Sequence, residues 1–220
     1  MVSTPIGNLE DMSLRSIRVL KEADVVAAED TRHTRGLFTH FGIATRLLSY
    51  HEHNERTASQ SIGRLLTEGK SVAVVSDAGT PGLSDPGYDV VQEAIRLSIP
   101  VVSVPGPSAA TAALSISGLP TDRFAFEGFL PVKKGRKTRL TALADEPRTM
   151  VFFEGPHRLI RTLNDLAQNL GDRRIAVCRE LTKQFEEVRR GTISEMIASF
   201  STGTVRGEFV LVVEGKPKNS

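Results

Sequence analysis

Short unbroken apolar runs alternate along this chain with longer stretches whose apolar positions recur every three or four residues. In the first half the runs are Val25-Val26-Ala27-Ala28, Val72-Ala73-Val74-Val75 and Val101-Val102-Ser103-Val104. They are rich in β-branched residues and lack polar alternation, which predicts strands covered on both faces. Between them, Leu14, Ile17, Arg18 and Leu20 follow a 3.6-residue period, with Ser13 placed as an N-cap. Stretches 61–66 and 90–97 have the same helical pattern. Strand alternating with helix predicts a mostly parallel α/β sheet.

The second half repeats the alternation. Residues 150–153, 175–178 and 209–213 read as strands, and 158–170 and 194–200 as helices. Gly118-Leu119-Pro120 interrupts the helical pattern of 109–116 and marks the expected boundary between two α/β domains, 1–118 and 119–220.

Composition narrows the class. Of 220 residues 40% are apolar and 25% charged, the balance of a globular protein rather than a disordered one. The length suits one large domain or two compact ones. No apolar run approaches the ~18 residues of a membrane span. The start carries no charged leader before an apolar core, so no secretory signal is expected. One cysteine, Cys178, permits no internal disulfide, and the expected compartment is the cytoplasm.

The formal charge is only +2, yet the cations are clustered. Lys133, Lys134, Arg136, Lys137 and Arg139 crowd one short segment, and Arg32, His33, Arg35, His51, His53 and Arg56 form a looser group. Such runs are either solvated loops or phosphate contacts.

Three glycine- and proline-rich loops stand at expected strand ends: Thr4-Pro5-Ile6-Gly7-Asn8, the long 76–87 loop that carries Asp77, Ala78, Gly79, Thr80 and Ser84, and Pro105-Gly106-Pro107-Ser108-Ala109. One such loop is an ordinary turn; three at one sheet edge predict a ligand site, since open α/β sheets bind at the carboxyl ends of their strands. Neither a Walker sequence nor the GxGxxG dinucleotide fingerprint is present. Further candidates are Glu29 and Asp30, Glu154 with Arg158, and Arg179 to Lys183, all at expected strand ends; Asp30 reads equally as a helix cap. His51-Glu52-His53 lacks the partners of a zinc site, so no metal is expected.

Several of these segments together resemble one family. Thr4-Pro5-Ile6-Gly7-Asn8-Leu9-Glu10-Asp11, Ala28-Glu29-Asp30-Thr31-Arg32-His33-Thr34, Ser49-Tyr50-His51-Glu52-His53-Asn54, the 76–87 loop, Pro105-Gly106-Pro107-Ser108-Ala109, Phe126-Glu127-Gly128-Phe129-Leu130-Pro131 and Phe153-Glu154-Gly155-Pro156-His157-Arg158 are similar to the small-subunit ribosomal RNA methyltransferase I family of the tetrapyrrole methylase superfamily. The resemblance covers almost the whole chain. It implies two α/β/α domains with mixed, mostly parallel sheets, S-adenosylmethionine held in the cleft between them, and a homodimer. It also implies methyl transfer to the ribose 2′-oxygen of a cytidine in the decoding region of the rRNA. By motif, Pro5, Gly7, Asp77, Ala78, Gly79, Thr80, Ser84, Ser108, Ala109, Phe153 and Glu208 would contact the cofactor. Arg32, His33, His51, Arg56, His157 and Arg158 would face RNA, joined by the clustered Arg35, Lys133, Lys134 and Arg136.

Removing the ribose proton calls for a base, and Asp30, Glu29, His51 and Glu154 are the candidates, with Asp30 and Glu154 taken as catalytic and Asp30 preferred as the base. Two departures from the family stand out. Only Met1-Val2-Ser3 precede the 4–8 motif where a longer apolar strand is usual, and the chain stops just after its last strand. Rival readings are a superfamily relative that methylates a tetrapyrrole or other small acceptor, and a non-catalytic RNA-binding relative.

Overall fold

A computed structural model describes residues 1–217; Lys218, Asn219 and Ser220, at the end of the second expected domain, lie outside the described residues. The chain divides into two compact units, Met1–Ser108 and Ala109–Ser220.

In the first unit β1 (Val25–Ala28) is the centre of a three-stranded sheet, flanked by β2 (Leu47–Ser49) and β3 (Val72–Val75), all parallel. Alternate residues serve opposite faces. Val26, Ala28, Ala73 and Val75 join Leu20 of α1 (Leu14–Glu22) and Phe38 of α2 (Thr31–Phe41) in one core. Ala27 and Val74 join Ala58 and Ile62 of α3 (Glu55–Thr67) and Val90 of α4 (Tyr88–Arg96) in the other. Covering both faces is what makes β1 and β3 uninterrupted apolar runs. Ser13 caps α1 through a hydrogen bond from the Ser16 amide, as its position predicts.

The third run of the first half is not a strand. Only Val104 bridges, to Val2, while Val101 and Val102 are exposed. Residues 1–3 lie between this segment and β3, with the Val2 amide donating to the Val74 carbonyl, and a cavity of about 540 Å³ is lined by Met1, Val72, Val74, Ile99, Val101 and Val102 among others. Its partner is the segment 1–3: the Val104 amide donates to the Met1 carbonyl and the Ser3 amide to the Val104 carbonyl, and the pairing goes no further than that single bridge.

In the second unit β4 (Phe124–Phe129), β5 (Thr149–Glu154), β6 (Arg174–Arg179), β7 (Glu187–Thr192) and β8 (Phe209–Val213) form a sheet of order β4-β5-β8-β6-β7. β4 and β5 are parallel and the other pairs antiparallel, so the mostly parallel expectation holds only in the first unit. Met150, Phe152, Ile175, Val177, Leu211 and Val213 bury one face beneath α6 (Arg136–Leu143), α7 (Leu159–Leu170) and α8 (Ile193–Ser201). α5 (Ala109–Ser117) packs on β5, β6 and β8. By its contacts this helix groups with the second unit, ahead of the Gly118-Leu119-Pro120 breaker. Cys178 lies fully buried in β6, and burial pushes its thiol up to about 11. Among the described residues no helix is long and apolar enough to cross a membrane.

α8 starts with a capping box: the Glu195 amide donates to the Thr192 hydroxyl, and the Glu195 carboxylate accepts from the Thr192 amide. Thr192→Ala should cost about 1 kcal/mol and lower Tm by about 2–4 °C. An unchanged thermal melt would show that the box adds no stability.

Candidate active site

Because β1, β2 and β3 run parallel, their carboxyl ends share one edge, and Glu29-Asp30, Tyr50-His51 and Ser76-Asp77 emerge there together. The glycine-rich loops are woven into the same edge. Thr4 and Gly79 exchange backbone hydrogen bonds at 2.9 and 3.0 Å, the Thr4 hydroxyl donates to the Ser76 carbonyl, and Ser3 and Thr80 join hydroxyls at 3.0 Å. The Thr80 hydroxyl is also within 3.3 Å of the Pro107 carbonyl. Loops 4–8 and 76–87, and through Pro107 the loop 105–109, all picked out by composition, are thereby brought together.

Two glycines are required by geometry. Gly79 has φ +87°, a left-handed conformation that side chains disfavour. Gly87 has φ +156°, and a Cβ there would stand 2.9 Å from the Gly82 nitrogen. The Gly87 turn is held by Glu55, whose Oε1 accepts from the Gly87 amide at 2.9 Å and from the Tyr50 hydroxyl at 2.7 Å. Burial and the Glu55 charge and hydrogen bond suppress ionisation of the Tyr50 phenol.

Carboxylates converge on this edge. The Asp77 amide donates to Glu29 Oε2 at 3.4 Å, and the Asp30 amide donates to Asp77 Oδ1 at 2.9 Å. Burial raises the Glu29 carboxyl above its usual range, reinforced by the Asp77 and Glu52 charges and opposed by the Asp77 amide and His51. Burial pushes Asp85 up to about 6, with the Glu29 and Asp77 charges adding to the effect and Ser76 opposing it. His51 Nδ1 is buried without a hydrogen-bond partner among the described residues.

Asp30, the expected base, is differently engaged. Its carboxylate caps α2 by accepting from the Arg32 amide and pairs with the Arg32 guanidinium at 3.0 Å, which holds it down at about 2. It is the helix cap of the alternative reading. Arg32, His33 and Arg35 are exposed on the first turns of α2, and Arg56 is exposed on α3. Pro5, Asp77 and Thr80 are half-buried, Gly79 is buried, and Gly7, Ala78 and Ser84 are exposed, Ser84 with φ +65°.

In the second unit Glu154 ends β5 and is 2% exposed. It accepts from the Thr162 hydroxyl at 2.6 Å and the Gly155 amide at 2.9 Å, and pairs with Arg158 at 3.2 Å. Arg136, expected at an RNA surface, is also buried: it pairs with Asp165 at 2.7 Å and donates to the Thr162 hydroxyl and the Pro131 carbonyl. Arg158 donates to the Leu130 carbonyl. These three charges therefore pin the loop after β4 to α7, where each finds its partners, and Glu154 has no free oxygen to act as a base. The signal missed for Arg136 is spacing. It stands four and seven residues before Leu140 and Leu143, on their buried helix face. Lys133, Lys134 and His157 are exposed, as is Glu208, which pairs with Lys183 at 2.8 Å. Ser108, Ala109 and Phe153 are half-buried. Asp85 was missed as an individual residue, although it lies in the loop singled out by composition.

With this geometry in place, the relationships of the chain are clear. The family model for tetrapyrrole (corrin/porphyrin) methylases matches residues 1–197, and the chain belongs to that family. Its more particular likeness is to the proteins called ribosomal RNA small subunit methyltransferase I, which bears out the resemblance of its motifs. That of Halalkalibacterium halodurans is 52% identical over 216 residues, covering 98% of this chain and 75% of the relative. That of Thermotoga maritima is 48% identical, covering 98% and 97%. Among solved structures, uroporphyrin-III-C-methyltransferase from Thermus thermophilus matches with TM-score 0.66 at 24% identity, covering 98% of this chain and 92% of that one. Diphthine synthase matches with TM-score 0.72 at 16% identity, covering 97% and 90%. Both share the fold.

The raised Asp85 gives a pH test. The folded state holds this proton up to about 6, whereas the ordinary value is 3.8. Its stabilising contribution is therefore full below about pH 4 and lost as pH rises through 6. Asp85→Asn removes that loss, so its Tm relative to wild type should climb between about pH 4 and pH 7 and then level off. A difference independent of pH would show that Asp85 is not desolvated.

Proposed function

We propose that this chain transfers a methyl group from S-adenosylmethionine to the ribose 2′-oxygen of a cytidine in the decoding region of small-subunit rRNA, in the cytoplasm and as a homodimer. The observation that carries the reading is near-complete coverage, at about half identity, by relatives called ribosomal RNA small subunit methyltransferase I. The exposed Arg32, His33, Arg35 and Arg56, close in the chain to the carboxylate edge, supply cations for phosphates.

The edge fits the cofactor chemically. Left-handed Gly79 and the neighbouring Ala78 leave main chain open to a close ligand, while Glu29, Asp77 and Asp85 suit a ligand with an ammonium and a sulfonium. The same carboxylates disfavour a triphosphate. We assign Pro5, Gly7, Asp77, Ala78, Gly79, Thr80, Ser84 and Ser108, all in the loops at this edge, to cofactor binding.

When bound, the cofactor supplies an electrophilic methyl group on positive sulfur. Bound there, it would offer that carbon to the ribose oxygen with sulfur as the leaving group, and this chain would have to take up the hydroxyl proton on a base. Positioning carries much of the acceleration. We assign the base to Glu29 rather than Asp30. Glu29 is half-buried at the end of the central strand and has a raised affinity for protons, whereas Asp30 is held as an anion by Arg32. His51, beside it on the same edge, steadies the Glu29 charge.

Labelled-methyl transfer to small ribosomal subunits from a strain lacking this gene, with nuclease mapping, should give a single 2′-O-methylcytidine in the decoding region. No incorporation alongside measured cofactor binding would point to another acceptor. In the same assay Glu29→Gln should lower kcat by about 10²- to 10⁴-fold with cofactor affinity kept. Asp30→Asn preserves the cap, since Asn and Asp cap equally well, and should stay near wild type. The wild-type rate should rise with pH as Glu29 ionises, with its midpoint above the ordinary glutamate range. Full activity of Glu29→Gln would remove Glu29 from the role.

A further inference from the structure

The apolar surface at the end of β4 has no part in the chemistry so far described. Phe129 is 56% exposed and Val132 55% exposed, in the segment that precedes α6. Phe129 is nevertheless held firmly. Its ring meets Phe153 edge to face at 5.7 Å, and Phe153 meets Phe126 in the same way at 5.1 Å. The arrangement depends on an irregularity in the ladder. Phe126 pairs with Val151 but Gly128 pairs with Phe152, so the register shifts and Phe129 comes opposite Phe153. Gly128 adopts φ +58° at this bulge.

The charges around the ring are sorted. Arg136 is tied to Asp165 and Arg139 to Glu127. Lys133, Lys134 and Lys137 are exposed and have no ion pair among the described residues. A rigid, solvated aromatic ring followed within eight residues by three uncompensated lysines suits a flexible polyanion that carries flat apolar faces. Single-stranded nucleic acid has both properties, whereas a duplex hides its base faces in the stack.

We propose that the exposed ring of Phe129 is a stacking platform for an unpaired base of a single-stranded RNA segment, with Lys133, Lys134 and Lys137 holding the adjoining phosphates. This rests on the RNA reading above and adds to it a means of selecting unpaired over paired RNA. The Phe126–Phe153–Phe129 packing orders the ring in advance, so little rotamer freedom is lost when a base settles on it.

The chain contains no tryptophan, so a single substitution supplies an unambiguous reporter. In Phe129→Trp the indole emission should be quenched by a short cytidine-rich single-stranded RNA and much less by the same sequence in a duplex. Phe124→Trp, exposed at the other end of β4, should not respond. Phe129→Ala should weaken binding of a dye-labelled strand, read by anisotropy, by about 5- to 100-fold. Changing the three lysines to Gln should flatten the salt dependence by about 0.7 in log–log slope for each phosphate no longer neutralised. Strand binding without quenching at position 129 would overturn the platform while leaving the RNA reading intact. Equal quenching by duplex and single strand would also overturn it. Absence of both strand binding and methyl transfer to subunits would remove the RNA reading and the platform together.

Discussion

Thr4 and Gly79 exchange a pair of backbone hydrogen bonds, and the arrangement of the first unit's edge follows from that exchange. It draws the 4–8 loop onto the turn after β3, and Ser3 and Thr80 extend the seam towards Pro107. A side chain at position 79 would face both the strain of φ +87° and a neighbour at Ile6. Three parallel strands supply the common edge, but this seam converts three separate turns into one surface with its main chain accessible. Loss of the seam would leave the carboxylates in place with no ordered loop beside them.

Charge is distributed by depth in both units. In the first, Glu29 and Asp85 are half-buried, with their carboxyls raised above the usual range by desolvation, while Arg32, His33 and Arg35 stand outside. In the second, Arg136 and Glu154 are buried on a shared partner, the Thr162 hydroxyl, with half-buried Arg158 paired to Glu154, while Lys133 and Lys134 remain solvated. Arginine suits the inner position because its planar fork can satisfy several acceptors at once, as Arg136 does with Asp165, Thr162 and Pro131. Lysine, a strongly hydrated point charge, stays outside.

Legibility from the sequence tracked burial. β1, β3 and β8 were readable because both of their faces are covered, and apolar runs result. β2 is three residues long and half-exposed, and β7, Glu-Val-Arg-Arg-Gly-Thr, is a polar edge strand, so neither leaves such a trace. α2 has its apolar residues gathered at its carboxyl end, which hides the helical period. The run at 101–104 misled in the opposite direction, since its composition is that of a strand but its pairing with residues 1–3 is limited to the single Val2–Val104 bridge. For the site, composition located the loops, and motif resemblance located the family. The different surroundings of Glu29, raised by burial, and Asp30, held down by Arg32, were not legible: adjacent carboxylates differ only in what surrounds them, which is a tertiary property.

Cys178 carries a practical consequence. It is the chain's one cysteine, it is fully buried in β6, and its thiol ionises only near 11. Thiolate is the reactive form towards oxidants and maleimides alike, so this sulfur is silent at neutral pH. A cysteine introduced at any exposed position can therefore be tagged selectively in the otherwise unaltered background. Spin labels or donor–acceptor dye pairs, one partner in each compact unit, would then measure inter-unit distances in solution without first stripping out a native thiol.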